Sequence, residues 1–123
     1  MILVDTSIWI DHLSRRDERL FGLLSAGQVL AHPFVTGEVA LGNLRQRETV
    51  LELLLNLPRA TVASDDEVLH LINADRLHGL GVGYVDAHLL ASTMLTAGAR
   101  LWTRDKRLAS VAHRLGFDAA TSH

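Results

Sequence analysis

The chain has 123 residues, 48% of them hydrophobic and 21% charged, with a formal net charge of −2 and no cysteine. That length predicts a single domain over 1–123 able to bury roughly two-thirds of its unfolded surface. The lack of cysteine excludes a disulfide framework, a thiolate metal site and a Cys nucleophile.

Residues 2–4 (ILV) form an unbroken apolar run ending at Asp5, the pattern of a strand buried on both faces. The first charge of the chain is that Asp5, so no positive segment precedes the apolar stretch as in a signal peptide. Helical potential follows over 6–13, and 15–26 reads as a helix with Asp17 and Glu18 early and Gly27 stopping it. QVLA (28–31) is a second strand. Pro33 opens a helix to about Asn43, and another runs to Asn56 before Pro58. ATVA (60–63) reads as a third strand, and Ser64 with Glu67 as a capping box opening a helix to Leu77. The GLGVG run (79–83) reads as a loop into a helix from Tyr84 to Ala97. RLWT (100–103) is a fourth strand, 105–115 a helix stopped by Gly116, and FDA (117–119) a short fifth strand. Strand and helix in alternation predict an α/β domain with a mainly parallel sheet and the first strand at its centre. No apolar run approaches the ~20 residues of a membrane span, so the expectation is a soluble, cytoplasmic protein.

Open parallel sheets bind ligands beyond the carboxyl ends of their strands. Asp5 follows the first strand directly, and Asp105 lies just past the fourth. Asp86 sits in the first turn of the helix after the glycine-rich loop. Glu38 lies in FVTGEVALG among apolar neighbours, which predicts a carboxylate either desolvated or facing a cavity that holds a cation. Two carboxylates about 4 Å apart repel by roughly 4 kcal/mol at an effective dielectric near 20. Four in one crevice need a compensating charge, and hard oxygen ligands suit Mg²⁺ or Mn²⁺. Such a platform hydrolyses phosphodiesters. Taken singly, each acid has a plainer reading: Asp5 and Asp105 as helix caps, Asp86 as a macrodipole partner.

Other patterns carry less. GLGVG lacks the lysine of a phosphate loop and follows a helix. Ser7 has no nucleophile elbow around it, and the seven histidines show no ligand spacing. The basic residues are eleven arginines and Lys106. Arg15, Arg16, Arg19, Arg45, Arg47, Arg104 and Arg107 fall near the expected carboxyl edge, where guanidinium groups suit phosphate. Each is equally well explained as solvated surface.

The segments MILVDTSIWIDHL, FVTGEVALG, GYVDAHLLAS and LWTRDKRLASVAHRLG occur in an order and spacing that resembles the PIN-domain ribonucleases, and more narrowly the VapC toxins of type II toxin–antitoxin systems. The resemblance runs from residue 1 to about 118. It implies a three-layer αβα sandwich with a sheet of four to five strands in the order 3-2-1-4-5. It also implies an Mg²⁺- or Mn²⁺-dependent endoribonuclease whose acidic set falls on Asp5, Glu38, Asp86 and Asp105. Thr6 or Ser7, and Thr103, then occupy the small hydroxyl positions beside those acids. An RNA-binding rim of Arg15, Arg16, Arg45, Arg104 and Arg107 accompanies them. The resemblance further implies a homodimer, a VapB-type antitoxin, and contact with operator DNA only through that antitoxin. The apolar LELLLNL (51–57) offers surface for an interface or for the core. Two other classes remain open: a catalytically weak PIN module serving mainly as a regulatory partner of its antitoxin, and a small metal-dependent phosphatase.

Overall fold

The computed structural model describes residues 1–119, so residues 120–123 of the expected 1–123 span lie outside the described part. Ile2–Val4 forms strand β1, with Leu3 and Val4 fully buried. It runs parallel to β2 (Val29–Leu30) on one side and to β3 (Arg100–Trp102) on the other. Leu3 stands opposite Leu30 and Leu101, so the middle of the sheet is leucine against leucine. Central placement follows from the apolar run, since no polar side chain there would require a solvated face.

Seven helices flank this sheet among the described residues: α1 (Thr6–Ser14), α2 (Glu18–Ser25), α3 (Pro33–Ala40), α4 (Arg47–Asn56), α5 (Asp65–Ala74), α6 (Tyr84–Leu95) and α7 (Lys106–Leu115). None is long and apolar enough to cross a membrane. Helix ends obey local chemistry. Asp17 caps α2 through Leu20 N–H, and α7 stops at Gly116 with φ +83°. The capping box at α5 is complete: Ser64 Oγ accepts from Glu67 N–H at 3.1 Å, and Glu67 Oε1 accepts from Ser64 N–H at 2.8 Å.

The sheet is narrower than five strands. Where the third strand was expected, a single parallel bridge joins Ala31 to Arg59, and the expected fifth contributes one bridge between Leu101 and Asp118. The cause at 60–63 is the end of its partner: Ala31 pairs with Pro58 O and Ala60 N–H, but the next ladder donor would be Pro33, which has no N–H and opens α3. Thr61 N–H and Ala63 N–H, on the other side of the segment, donate to Thr96 Oγ1 at 2.8 Å and to Ser92 Oγ at 3.1 Å, hydroxyls on and just after α6.

Helix α6 is the centre of the molecule. Every residue from Ala87 to Thr93 is buried, including His88, Ser92 and Thr93. Buried polar groups call for internal partners, which Ser92 and Thr93 have, whereas neither His88 ring nitrogen makes a hydrogen bond among the described residues, Nε2 lying 3.2 Å from Asp65 Oδ1. Thr93 Oγ1 donates to Leu89 O, and Ser92 Oγ lies 3.0 Å from His32 Nε2. His32 is fully buried and caps α3, its Nδ1 accepting from Phe34 N–H at 3.1 Å. With Nδ1 as acceptor, the ring proton belongs on Nε2 and points to Ser92. Burial pulls the His32 pKa down to about 4, so the ring is neutral at physiological pH.

Candidate active site

Each of the four acids is carried by a different element, and all gather at the carboxyl edge of the sheet. Asp5 leaves β1 and is the N-cap of α1, with Oδ1 accepting from Thr6 N–H at 2.7 Å. Asp105 lies past β3 and caps α7, accepting from the N–H groups of Arg107 and Leu108. The capping readings and the joint-site reading therefore hold together for these two residues. Asp86 is the third residue of α6. Glu38 lies on α3, which follows β2. Because β1 has a parallel neighbour on each side, this edge is the point where the chain's crossovers change direction.

Of the two readings of Glu38, desolvated or facing a cavity that holds a cation, exposure excludes the first. Helix α3 turns Val35 and Val39 inward, so Phe34, Glu38 and Leu41, at helical spacing on the other face, stay open. What holds Glu38 is Thr6, whose Oγ1 donates to Oε1 at 2.6 Å. Thr103 performs the matching task for the aspartates. Its Oγ1 donates to Asp5 Oδ2 at 2.7 Å and accepts from Asp105 N–H at 3.0 Å, tying the ends of β1 and β3 together. Of the two hydroxyls beside Asp5, Thr6 reaches a cluster acid, whereas Ser7 is exposed and bonds to none of the four acids among the described residues.

The electrostatics show convergence. Burial pushes the Asp86 carboxyl up to about 6, and the charges of Asp5, Asp105 and Glu38 act in the same direction. Asp5 is also raised, first by burial; the Thr103 and Thr6 hydrogen bonds oppose that shift, while Glu38 and Asp105 reinforce it. No Arg, Lys or His side chain pairs with any of these four acids; the ion pairs among the described residues lie elsewhere. No three acidic or imidazole groups among the described residues close into a complete ligand set. The donor set, all oxygen and uncompensated, fits a hard divalent cation and no soft one.

The arginines are less uniform than the expected rim. Arg104 pairs with Asp11 at 3.0 Å and Asp17 at 2.9 Å, and Arg16 pairs with Glu18 while lying over the Phe21 ring. Arg19 lies over Trp102, and Arg47 donates to Gly42 O. Arg15, Arg45 and Arg107 have no side-chain hydrogen bond or ion pair among the described residues. Sequence reasoning missed His32 as a buried cap and the packing of the GLGVG loop; a histidine directly before Pro33 at a strand end was the available signal for the first.

A parallel α/β sheet with an unpaired acidic cluster at its carboxyl edge is the frame on which residues 2–114 match the PIN domain, and the chain belongs to the PIN-domain family. Within that family it stands beside the VapC proteins. It is 56% identical over 108 residues to the protein named Ribonuclease VapC32 in two strains of Mycobacterium tuberculosis, covering 88% of this chain and 87% of each relative. No solved structure matches it.

Proposed function

We propose that this chain, acting as one PIN domain, is the toxin of a type II toxin–antitoxin pair and hydrolyses RNA phosphodiester bonds with Mg²⁺ or Mn²⁺. The observation that carries this reading is the set of four carboxylates from four elements with no cationic side chain among the described residues to neutralise them. Asp5 and Asp86 would hold the metal directly, Asp105 directly or through water, and Glu38 through water or as an orienting base. Held there, a hard divalent cation would supply activation of a water at neutral pH and charge stabilisation of the leaving oxygen, and cleavage would leave 5′-phosphate and 3′-hydroxyl ends. The name of the relatives, Ribonuclease VapC32, supports the choice of RNA over a small phosphoester.

The same reading supplies partners and place. A VapB-type antitoxin covers the acidic pocket, operator DNA is reached only through it, and the complex works in the cytoplasm as a toxin homodimer. Exposed apolar side chains support association, since Leu41 is 89% and Leu55 71% exposed while Leu54 beside it is buried. Incubating antitoxin-free protein with total RNA is expected to yield discrete fragments with Mg²⁺ or Mn²⁺ and none with EDTA. Intact RNA in every lane, from folded protein, would shift the reading to a regulatory module whose role is its antitoxin complex.

Thr103 supplies a finer check. Replacing it with valine keeps the shape but removes the donor to Asp5 and the acceptor for Asp105 N–H. Loss of an orienting partner of this kind costs on the order of 10- to 100-fold in activity, and Thr103→Ser is expected to recover most of it. Equal rates for Thr103→Val and wild type would show that Asp5 needs no such support.

A further inference from the structure

We infer that Arg107 binds a backbone phosphate of the RNA strand from a position across the loop entering α6, directly over Gly81. The inference rests on the nuclease reading above. Arg107 is the second residue of α7, and its N–H donates to Asp105 Oδ1 at 2.9 Å. Its side chain leaves that helix and crosses to the loop that precedes Asp86, so it spans two of the elements that carry the acids. The contact there is close: a Cβ added to Gly81 would lie 2.8 Å from Arg107 Cδ and 3.0 Å from Cζ. No side chain fits beneath the arginine.

Conformation does not distinguish this glycine from Gly79. Gly79 and Gly81 both have left-handed φ, +75° and +78°, but a Cβ on Gly79 would meet nothing within 4 Å. The two positions share one backbone requirement, and Gly81 alone carries the contact. Arg107 is exposed, and its guanidinium has no hydrogen bond or ion pair among the described residues, although four carboxylates without a cationic partner gather nearby. Lying along the glycine backbone, it pairs with none of those carboxylates and leaves their charge uncompensated. Its planar fork of donors is then available, and a phosphodiester flanking the scissile bond is the anion whose geometry it matches.

The test measures binding of a mixed-sequence single-stranded RNA oligonucleotide across a salt series, with Mg²⁺ and every protein carrying Asp86→Asn so that the strand stays intact. Arg107→Ala is expected to weaken binding about tenfold and to lower the slope of log Kd against log salt by about 0.7, one phosphate contact on a single strand. Gly81→Ala is expected to do the same, because a methyl there displaces the guanidinium. Gly79→Ala imposes the same backbone strain and is expected to bind like the parent. Combining Gly81→Ala with Arg107→Ala is expected to be no worse than Arg107→Ala alone, since both remove one interaction. An unchanged slope for Arg107→Ala, or equal binding by the Gly79 and Gly81 variants, would overturn the inference. Cleavage by the otherwise wild-type enzyme separates the two levels. Metal-dependent cutting with unaffected variants removes only the role of Arg107, whereas no cutting removes the nuclease reading itself.

Discussion

Asp86→Asn is expected to lower RNA cleavage on the order of a thousandfold and, at the same time, to raise the stability of the metal-free protein at neutral pH. Both effects come from one property, a carboxylate held where its charge is unwelcome. Its pKa is pushed up to about 6, first by burial and then by Asp5, Asp105 and Glu38, whereas an unfolded aspartate titrates near 3.9. The folded protein therefore binds this proton more tightly than the unfolded chain does. The resulting stabilisation is complete below about pH 4 and is lost as pH rises through 6. At pH 7.5 the ionised group destabilises the fold by about 1–2 kcal/mol after allowance for partial solvent screening. Asparagine keeps the shape and removes the charge.

Melting temperatures in EDTA provide the measurement. The variant and wild type are expected to melt alike near pH 4 and to diverge as pH rises to 7.5, with the variant higher. The difference between the two proteins is the right quantity, because His32 acts in the opposite sense. Its pKa lies at about 4, below the unfolded value, so its contribution is present above about pH 6.5 and is lost as pH falls through 4. Added Mg²⁺ is expected to raise the melting temperature of wild type at pH 7.5 and to leave the variant nearly unmoved. Parallel melting curves at all pH values would mean that Asp86 is not strained, and would remove the electrostatic basis for a cation at this edge.

His32→Ala is expected to cost about 4 kcal/mol, a fall of roughly 15 °C in Tm. Three losses combine at one fully buried position. The α3 cap to Phe34 N–H disappears, at about 1 kcal/mol. Ser92 Oγ loses its partner inside α6, at about 1–3 kcal/mol for a buried polar group. The missing ring leaves a cavity for the remainder. His32→Asn restores a capping acceptor but is too short to reach Ser92, so chemical denaturation is expected to place it between alanine and wild type. Because α3 carries Glu38, the alanine variant is also expected to lose activity beyond its loss of folded protein. A cost below about 1 kcal/mol would show that α3 is held by Val35 and Val39 packing alone.

The legible parts of the molecule are those governed by neighbours in sequence. Ile2–Val4 is apolar throughout and can only be a buried strand; the Ser64–Glu67 capping box needs no distant residue; Gly116 ends α7 because it takes a left-handed φ. Three of the acids stand out for a related reason: Asp5 and Asp105 lie just past strands and Glu38 in the helix that follows one, so chain direction sends them to one edge, whereas Asp86 opens α6 after a helix and a glycine-rich loop. Sequence also singled out Thr103 as a hydroxyl beside the acids, but not that it joins Asp5 to Asp105.

What sequence alone determined was therefore the α/β alternation, the central first strand and the four acids, all consequences of local periodicity and chain direction. Tertiary structure decided the rest through partners far apart in the chain. Residues 60–63 have a strand-like composition, yet the chain they would pair with turns into α3 at Pro33, and hydroxyls of Thr96 and Ser92, 35 and 29 residues from Thr61 and Ala63, hold the outward amides, leaving three strands where more were expected. Thr6 and not Ser7 meets Glu38 because the pitch of α1 aims one of two adjacent hydroxyls across a 32-residue separation. Gly81 looks in sequence like any loop glycine, and only folding lays the Arg107 side chain over it. Hydrogen bonds and close contacts between distant residues depend on where whole elements come to rest, and no local pattern encodes that.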